Sequence, residues 1–229
     1  MSIFRKRRLH IASIVVIGLI VSGNIKSQDL QFSLYADPLI GWFSSDTKGS
    51  SNEGARPGFS LGLIFDKYFA DNYALSTGIS MMNVSGRVFY SDTTTIRFKN
   101  STTELNPEEN ITYRIQFLSI PVGLKLRTNQ IGYMTLFTNV GLDPKIVIGG
   151  KADIPSQEIK KENITEELKD FNIGYHITIG TEYSLGGTTA LVFGLRYENN
   201  FMDVTKDFDD QPVDKLTLYI IRFRLGINF

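Results

Sequence analysis

The stretch LTLYIIRFRLGINF, residues Leu216–Phe229, places two arginines inside a strongly hydrophobic run. Its residues fall into two alternating sets. One set is apolar or aromatic from Tyr219 to Phe229, and the other contains Arg222, Arg224, Gly226 and Asn228. Because successive side chains of a β-strand point to opposite faces, this period of two predicts a strand. One face of that strand is apolar and the other is charged, so the two faces need different surroundings.

Seven further segments show the same alternation of apolar residues with glycine or polar residues. They are a weaker segment at about 31–43, then FSLGLIF (59–65), LSTGISM (75–81), LSIPVGLKLR (118–127), MTLFTNVGLD (134–143), FNIGYHITIGTEYSL (171–185) and ALVFGLRY (190–197). The chain therefore has eight predicted strands. Twenty glycines and an aromatic content of 12% agree with a β protein.

The connections between these segments alternate in length. Long polar stretches at 44–57, 91–110, 151–170 and 203–215 take turns with short ones at 67–72, 128–130 and 186–187. This pattern is typical of a transmembrane β-barrel, in which closure satisfies every backbone group. We predict an all-β, eight-stranded antiparallel up-and-down transmembrane β-barrel with its termini in the periplasm. The alternative is a soluble barrel of the lipocalin kind, with the apolar face inward.

The N-terminus predicts export. MSIFRKRRLH carries four basic residues, and the 13 apolar or small residues of IASIVVIGLIVSG follow. A membrane-spanning helix needs about 20 apolar residues, whereas a charged segment followed by a short apolar one is typical of a secretory signal peptide. We predict a cleaved signal peptide at 1–27 and an outer-membrane barrel at 28–229. A retained single-pass anchor is the alternative.

Charge and cysteine content narrow the function classes. The whole chain is neutral, but removal of residues 1–27 takes away five basic and no acidic side chains, which leaves 24 acidic against 19 basic residues and a net charge of −5. No basic stripe with interleaved aromatics is present, so nucleic acid is not an expected partner. With no cysteine, the sequence has neither a disulfide framework nor a thiolate metal site.

One element of the sequence resembles a known family. FLSIPVGLKLR (Phe117–Arg127) is similar to the aromatic-x-x-Ile-Pro element of the fourth strand in the PorT-like group, small outer-membrane β-barrel proteins of Bacteroidota. The segment that ends before Gln28, the eight-strand plan and Phe229 agree with this resemblance along the mature chain. It implies a location in the Gram-negative outer membrane. For some members it also implies a role in type IX secretion or gliding motility.

The last strand also resembles the signal by which the barrel assembly machinery recognises bacterial outer-membrane barrels. The resemblance implies this role for Phe229 and, on the same face, for Ile227, Phe223 and Tyr219. A plain lipid-facing anchor at the membrane interface is the alternative for Phe229.

The face opposite the apolar one carries the charges. An eight-stranded barrel is only wide enough inside to be filled by side chains, and buried charges are tolerated when they are paired. We therefore predict one interior ionic cluster on the last three strands, in which Glu182 and Glu198 meet Arg222 and Arg224. The cluster consists of His176, Glu182, Arg196, Glu198, Arg222 and Arg224. A proton or ion path along these groups is the alternative.

His176 is the single histidine of the predicted mature chain. Catalysis on lipid needs a nucleophile and a base close together where the substrate reaches them. Because His176 belongs to the inward face, we expect no catalytic site, no cofactor and no bound metal. The sequence favours a non-enzymatic protein over a surface lipid-modifying enzyme.

Two long loops carry further candidates. DVTKDFDD offers Asp203, Asp207, Asp209 and Asp210 as a weak cation site, whose oxygen ligands suit Ca²⁺, bridging to lipopolysaccharide phosphates. It lacks the glycine and closing glutamate of an EF-hand loop, and a solvated acidic surface is the alternative. In PSQEIKKENITEELKDF (155–171), three apolar residues at near-helical spacing predict a short helix capped by Ser156.

The sequence thus favours an accessory component or partner of a surface complex, working through its loops and barrel wall. Outer-membrane lipid, lipopolysaccharide, the barrel assembly machinery and surface-complex proteins are the expected partners. A narrow pore for ions or small solutes is the alternative from the transport class.

Overall fold

The computed structural model describes residues 30–46, 49–206, 208 and 215–229. The predicted signal peptide lies outside the described residues. The strands within them are β1 (Leu30–Ser45), β2 (Ser50–Ala70), β3 (Tyr73–Tyr90), β4 (Thr94–Arg97), β5 (Thr102–Leu105), β6 (Glu109–Ser119), β7 (Val122–Arg127), β8 (Met134–Ile154), β9 (Ile159–Asn163), β10 (Phe171–Gly186), β11 (Thr189–Asn200) and β12 (Leu216–Asn228). Among these residues, no helix has the length and apolar composition needed to cross a membrane.

Eight antiparallel strands form a ring. β6 and β7 together act as one strand, since both lie between β3 and β8. The ring runs β1, β2, β3, β6 with β7, β8, β10, β11 and β12, and β12 pairs back onto β1. At this last pair, the Phe229 amide donates to the Phe32 carbonyl at 2.8 Å, and Trp42 stacks on Tyr219. The predicted all-β, eight-stranded antiparallel architecture is confirmed.

The break between β6 and β7 is made by proline. Pro121 has no amide hydrogen and sits at the break, where the ladder needs no donor. The amide of Ile120 donates to the Pro144 carbonyl at 3.0 Å, and the Pro121 carbonyl accepts a bond from the Thr77 hydroxyl at 3.0 Å. Pro144 itself pairs with Ile173 inside β8 and does not end that strand.

Tight connections at 71–72, 128–133 and 187–188 lie at one end of the ring, which we name the turn end. The opposite end, the loop end, differs from the prediction in several places. The expected long loop at 44–57 is shorter, because β2 already begins at Ser50. The loop at 91–108 contains the small hairpin of β4 and β5.

The predicted helix after Pro155 is wrong. The structure shows a 3-10 turn at Pro155–Gln157 and then β9, which pairs with the end of β8. Ile164 and Leu168 are fully buried in the apolar core at the loop end. The near-helical spacing of the apolar residues therefore reflects packing onto that core, and the exposed edge of β8 supplies the backbone partners that a helix would have supplied internally.

The interior of the ring has two layers. Near the loop end, an apolar core combines strand residues such as Phe43, Met82 and Tyr113 with loop residues such as Phe98 and Ile164. Toward the turn end, buried charged side chains replace the apolar ones. The outer surface is apolar over most of its height, with residues such as Leu61, Val140 and Phe223 about half exposed.

Glycines make room for large side chains in this narrow interior. A Cβ built on Gly86 would lie 2.4 Å from Cδ2 and 2.6 Å from Cε2 of Phe43, far inside van der Waals contact. Phe43 is held in turn by an edge-to-face contact with Tyr113, at 5.8 Å between ring centroids. The absence of a side chain at residue 86 thus allows the apolar core to close.

We predict that Gly86→Ala lowers the free energy of unfolding by about 1–3 kcal/mol, because overpacking forces Phe43 from its rotamer. Urea titration of the folded protein in vesicles, followed by the difference in migration between boiled and unboiled samples, measures the effect. Gly49→Ala is the matched control, since the nearest atom to its new Cβ is a flexible Asp92 carboxylate oxygen at 3.3 Å. Equal midpoints for the two variants would contradict the prediction.

Candidate functional site

The charged layer begins near the turn end with Lys125. Its ammonium group donates to Asp66 and to Glu182, each at 2.6 Å, and all three side chains are almost fully buried. Phe137 lies against the same ammonium, with 5.1 Å between the nitrogen and the ring centroid. The triad carries a formal charge of −1, because two carboxylates share one lysine.

Two neutral pairs occupy the middle of the layer. Arg196 donates to both oxygens of Asp143, at 2.5 and 2.6 Å. Arg224 donates to Asp37 at 3.1 Å and lies over the ring of Tyr35, 4.0 Å from its centroid. Charge-assisted contacts of this kind offset much of the cost of burying an ion.

A third group lies nearer the loop end and is centred on Glu198. One carboxylate oxygen accepts from Lys145 and the other from Arg222, and all three side chains are buried. Lys145 also donates to the Asn200 amide oxygen at 2.9 Å. This triad carries a formal charge of +1, opposite in sign to the triad of Lys125.

The layer as a whole is balanced. Among the described residues of this layer are five buried carboxylates and five buried cations, namely Asp37, Asp66, Asp143, Glu182 and Glu198 with Lys125, Lys145, Arg196, Arg222 and Arg224. The structure places all six residues of the predicted interior cluster in this layer. It groups them differently, however. Glu182 pairs with Lys125, and Arg224 pairs with Asp37.

His176 lies in the middle of the charged layer and is 1% exposed. Its Nδ1 is 2.8 Å from Asp143 Oδ2, and its Nε2 is 2.6 Å from the amide oxygen of Asn139. Both ring nitrogens are thus engaged with buried side chains. The geometry gives His176 the role of linking Asp143 on β8 to β10.

A small cavity of about 20 Å³ lies beside the Lys125 triad. Its walls include Asp66, Asn139, Arg224 and Asn228. Oδ1 of Asp66 and both amide atoms of Asn228 are buried without a hydrogen-bond partner among the described residues. A space of this size matches about one water molecule.

The outer face is bounded by aromatic side chains. Toward the loop end, Tyr175 contacts Tyr197 and Phe201. At the turn end, Tyr133 contacts Tyr183. The eight-residue step from Tyr175 to Tyr183 on β10 spans about 27 Å at ~3.4 Å per residue, or about 20 Å for a strand tilted by ~40°. Aromatic girdles flank an apolar band of about this height in outer-membrane barrels.

The residues predicted as an assembly signal lie on this outer face. Phe223 and Phe229 are about half exposed, whereas Tyr219 and Ile227 are partly covered. They belong to the strand that closes the ring. Recognition by the assembly machinery stays a prediction.

Of the predicted loop cation site, Asp207, Asp209 and Asp210 lie outside the described residues. Asp203 is buried, and its carboxylate accepts from Lys169 at 2.7 Å, from the Leu216 amide at 2.9 Å and from Thr205. These bonds hold the start of β12 against the 165–169 segment. No group of three metal-ligating side chains is found among the described residues.

The ring of eight antiparallel strands, the apolar outer band with its aromatic girdles and the filled polar interior define an outer-membrane β-barrel. The sequence agrees, since the family model for the outer membrane protein beta-barrel domain matches residues 17–206. The chain therefore belongs to this family, and its membership indicates the outer membrane as its location.

Solved structures show likeness at low identity. Neisserial surface protein A shares 12% identity, over 87% of this chain and 96% of that one, with a TM-score of 0.46. OprG from Pseudomonas aeruginosa shares 11% sequence identity, over 87% of this chain and 95% of that one, with a TM-score of 0.47. The outer membrane protease OmpT from Escherichia coli shares 8% sequence identity, over 91% of this chain and 99% of that one, with a TM-score of 0.47. At these values the likenesses carry no argument about function. No curated protein matches the chain.

Variants of the ion pair between Asp37 and Arg224 test how much the charged layer contributes to stability. We predict that Arg224→Met lowers stability by about 3–5 kcal/mol, because it leaves the Asp37 carboxylate buried without its cation. The double variant Asp37→Asn, Arg224→Met restores a large part of this loss, since no unpaired charge remains. Fluorescence of the single tryptophan, Trp42, follows unfolding in vesicles. Equal stability of the single and double variants would contradict the ion-pair interpretation.

Proposed function

We propose that the protein is a non-conducting, non-enzymatic outer-membrane barrel that serves as an accessory component or partner of a surface complex. The observation that carries this proposal is the filled interior. The charged layer is internally paired and lies beneath an apolar core that includes loop residues such as Ile164 and Leu168. A barrel of this kind acts through the surfaces that it presents outward.

The finer assignment follows the resemblance of Phe117–Arg127. We assign the protein to the PorT-like group of Bacteroidota, exported by a cleaved signal peptide, with the turn end in the periplasm and the loop end outside. Secretion or gliding motility is the type of complex that this resemblance suggests. The assembly machinery, lipopolysaccharide and the lipid of the outer membrane are its further partners.

Two features argue against the competing functions. A pore needs a continuous polar path, whereas the cavity beside Lys125 has room for about one water molecule. A lipid-modifying enzyme needs a reachable base, whereas His176 is buried and engaged at both nitrogens.

Conductance separates an accessory barrel from a pore. We expect the purified protein in a planar bilayer to show no steady single-channel current at moderate voltage and salt. Correct insertion is checked in the same preparation by the shift in gel migration on boiling. A reproducible open current with fixed ion selectivity would overturn the accessory function in favour of the pore.

The accessory role itself predicts a stable partner. Affinity purification from outer membranes in mild detergent, followed by mass spectrometry, is expected to recover a defined surface-complex protein in fixed ratio. Unchanged lipid A mass in a deletion strain is expected as well, since the proposed role is non-enzymatic. A changed lipid A mass that the wild-type gene restores would favour the enzyme instead.

A further inference from the structure

A groove of about 630 Å³ lies on the outer wall of the barrel, across β2, β3, β6, β8 and β9. The strand register places it directly on the loop side of the apolar band. Leu61 pairs with Met81, and Met81 with Leu118, in the band. Two residues closer to the loop end on each of these strands, the outward-facing residues line the groove. They are Phe59, Asn83 and Gln116.

A β-bulge creates the charged side of the groove. Gln116 pairs with Gly149 but Phe117 pairs with Val147, so Ile148 is an extra residue in β8. The bulge changes which residues of β8 face outward. Lys145, before the bulge, is buried in the interior, whereas Lys151, after it, is exposed on the outer wall.

Three cationic residues line the groove, namely Arg114, Lys151 and Lys161, and no carboxylate does. Asp153 contacts two of these residues, and both of its carboxylate oxygens are occupied. Arg114 binds one at 2.5 Å, and the Lys161 backbone amide donates to the other at 2.7 Å. Since Arg114 balances Asp153, the two lysines leave the groove with an excess charge of about +2.

The backbone at Lys161 is held in an unusual conformation. Its φ of 55° lies in the left-handed region, which asparagine or glycine adopts more readily than lysine. The bond from its amide to Asp153 fixes this turn of β9 beside Lys151. Within the described part of the chain, neither Lys151 nor Lys161 forms an ion pair.

We propose that this groove binds the phosphate-bearing headgroup of a lipid A-type glycolipid in the outer leaflet. The groove is continuous with the lipid-facing band, so acyl chains lie along Leu61, Met81 and Leu118 while the headgroup reaches the lysines. Lysine ammonium groups bind phosphate as point charges, and basic pockets at the edge of the membrane bind lipid headgroups. The amides of Asn83 and Gln116 supply further donors. The site rests on the proposed orientation, with the loop end outside.

Native mass spectrometry of the full-length folded protein in mild detergent tests the site. We expect wild type to retain added bis-phosphorylated lipid A in preference to dephosphorylated lipid A and to phosphatidylglycerol. The double variant Lys151→Gln, Lys161→Gln is expected to lower the affinity by about 10- to 30-fold, since each lysine near an anionic membrane surface contributes about fivefold.

Matched variants separate the groove from general surface charge. Lys160→Gln removes the same charge from the adjacent exposed residue, which does not line the groove, and is expected to change the affinity less than about twofold. Lys151→Arg, Lys161→Arg keeps the charge and is expected to retain binding. Heat-dependent gel migration checks folding of each variant.

Any of three results would overturn the site. The first is equal retention of lipid A by wild type and the double glutamine variant, and the second is an equal loss of affinity in Lys160→Gln and in the double glutamine variant. The third is equal binding of phosphatidylglycerol and lipid A by wild type. The conductance measurement is independent of all three. If lipid A does not bind and no current is seen, the lipid site is wrong but the proposed accessory function is unaffected. If lipid A binds and a steady current is seen, the accessory function is wrong but the lipid site is unaffected.

Discussion

The fold depends on one constraint, which is that the charges inside a narrow barrel must balance without help from bulk water. Five carboxylates and five cations are buried there. The Lys125 triad has an excess of one negative charge and the Glu198 triad an excess of one positive charge, with two neutral pairs between them. Removing one ion of a neutral pair, such as Arg224, would leave its partner unpaired in a place where that is costly. The charged layer therefore ties strands together that are far apart in the sequence, as Asp37 of β1 and Arg224 of β12 show.

The same constraint explains why the interior has two layers. Where the strands carry no inward charges, as at Met82 and Tyr113, glycine and large apolar side chains fill the space. The small hairpin of β4 and β5 and the 165–169 segment complete this layer from the loop side, with Ile96, Leu105 and Leu168 buried. The apolar layer separates the ions from the loop end, which lowers the effective dielectric constant around them and strengthens their attraction.

The alternation of side chains was enough to predict the eight strands and the inward position of Glu182, Arg222 and their neighbours, because period two is a local property. The partners were not predictable in the same way. Asp37 was missed because it precedes Pro38 in the strand with the weakest alternation, and Lys145 because the predicted strand ended at Asp143. The bulge at Ile148 has no local signature, yet it decides that Lys151 faces outward. The helix predicted after Pro155 failed for a related reason, since local spacing carries no information about the free edge of β8.

A filled interior has a consequence for where function is located. A solute entering from the loop end would have to displace the apolar layer around Phe43 and Ile164 and then break ion pairs such as that between Arg196 and Asp143. Both steps disrupt packing on which the ring depends, so selection for transport would conflict with selection for stability. Residues on the outer wall can change without disturbing that packing. Lys151 and Lys161 hold charges that the fold does not use, at the edge of a band that already contacts lipid, and changes there leave the interior balance untouched.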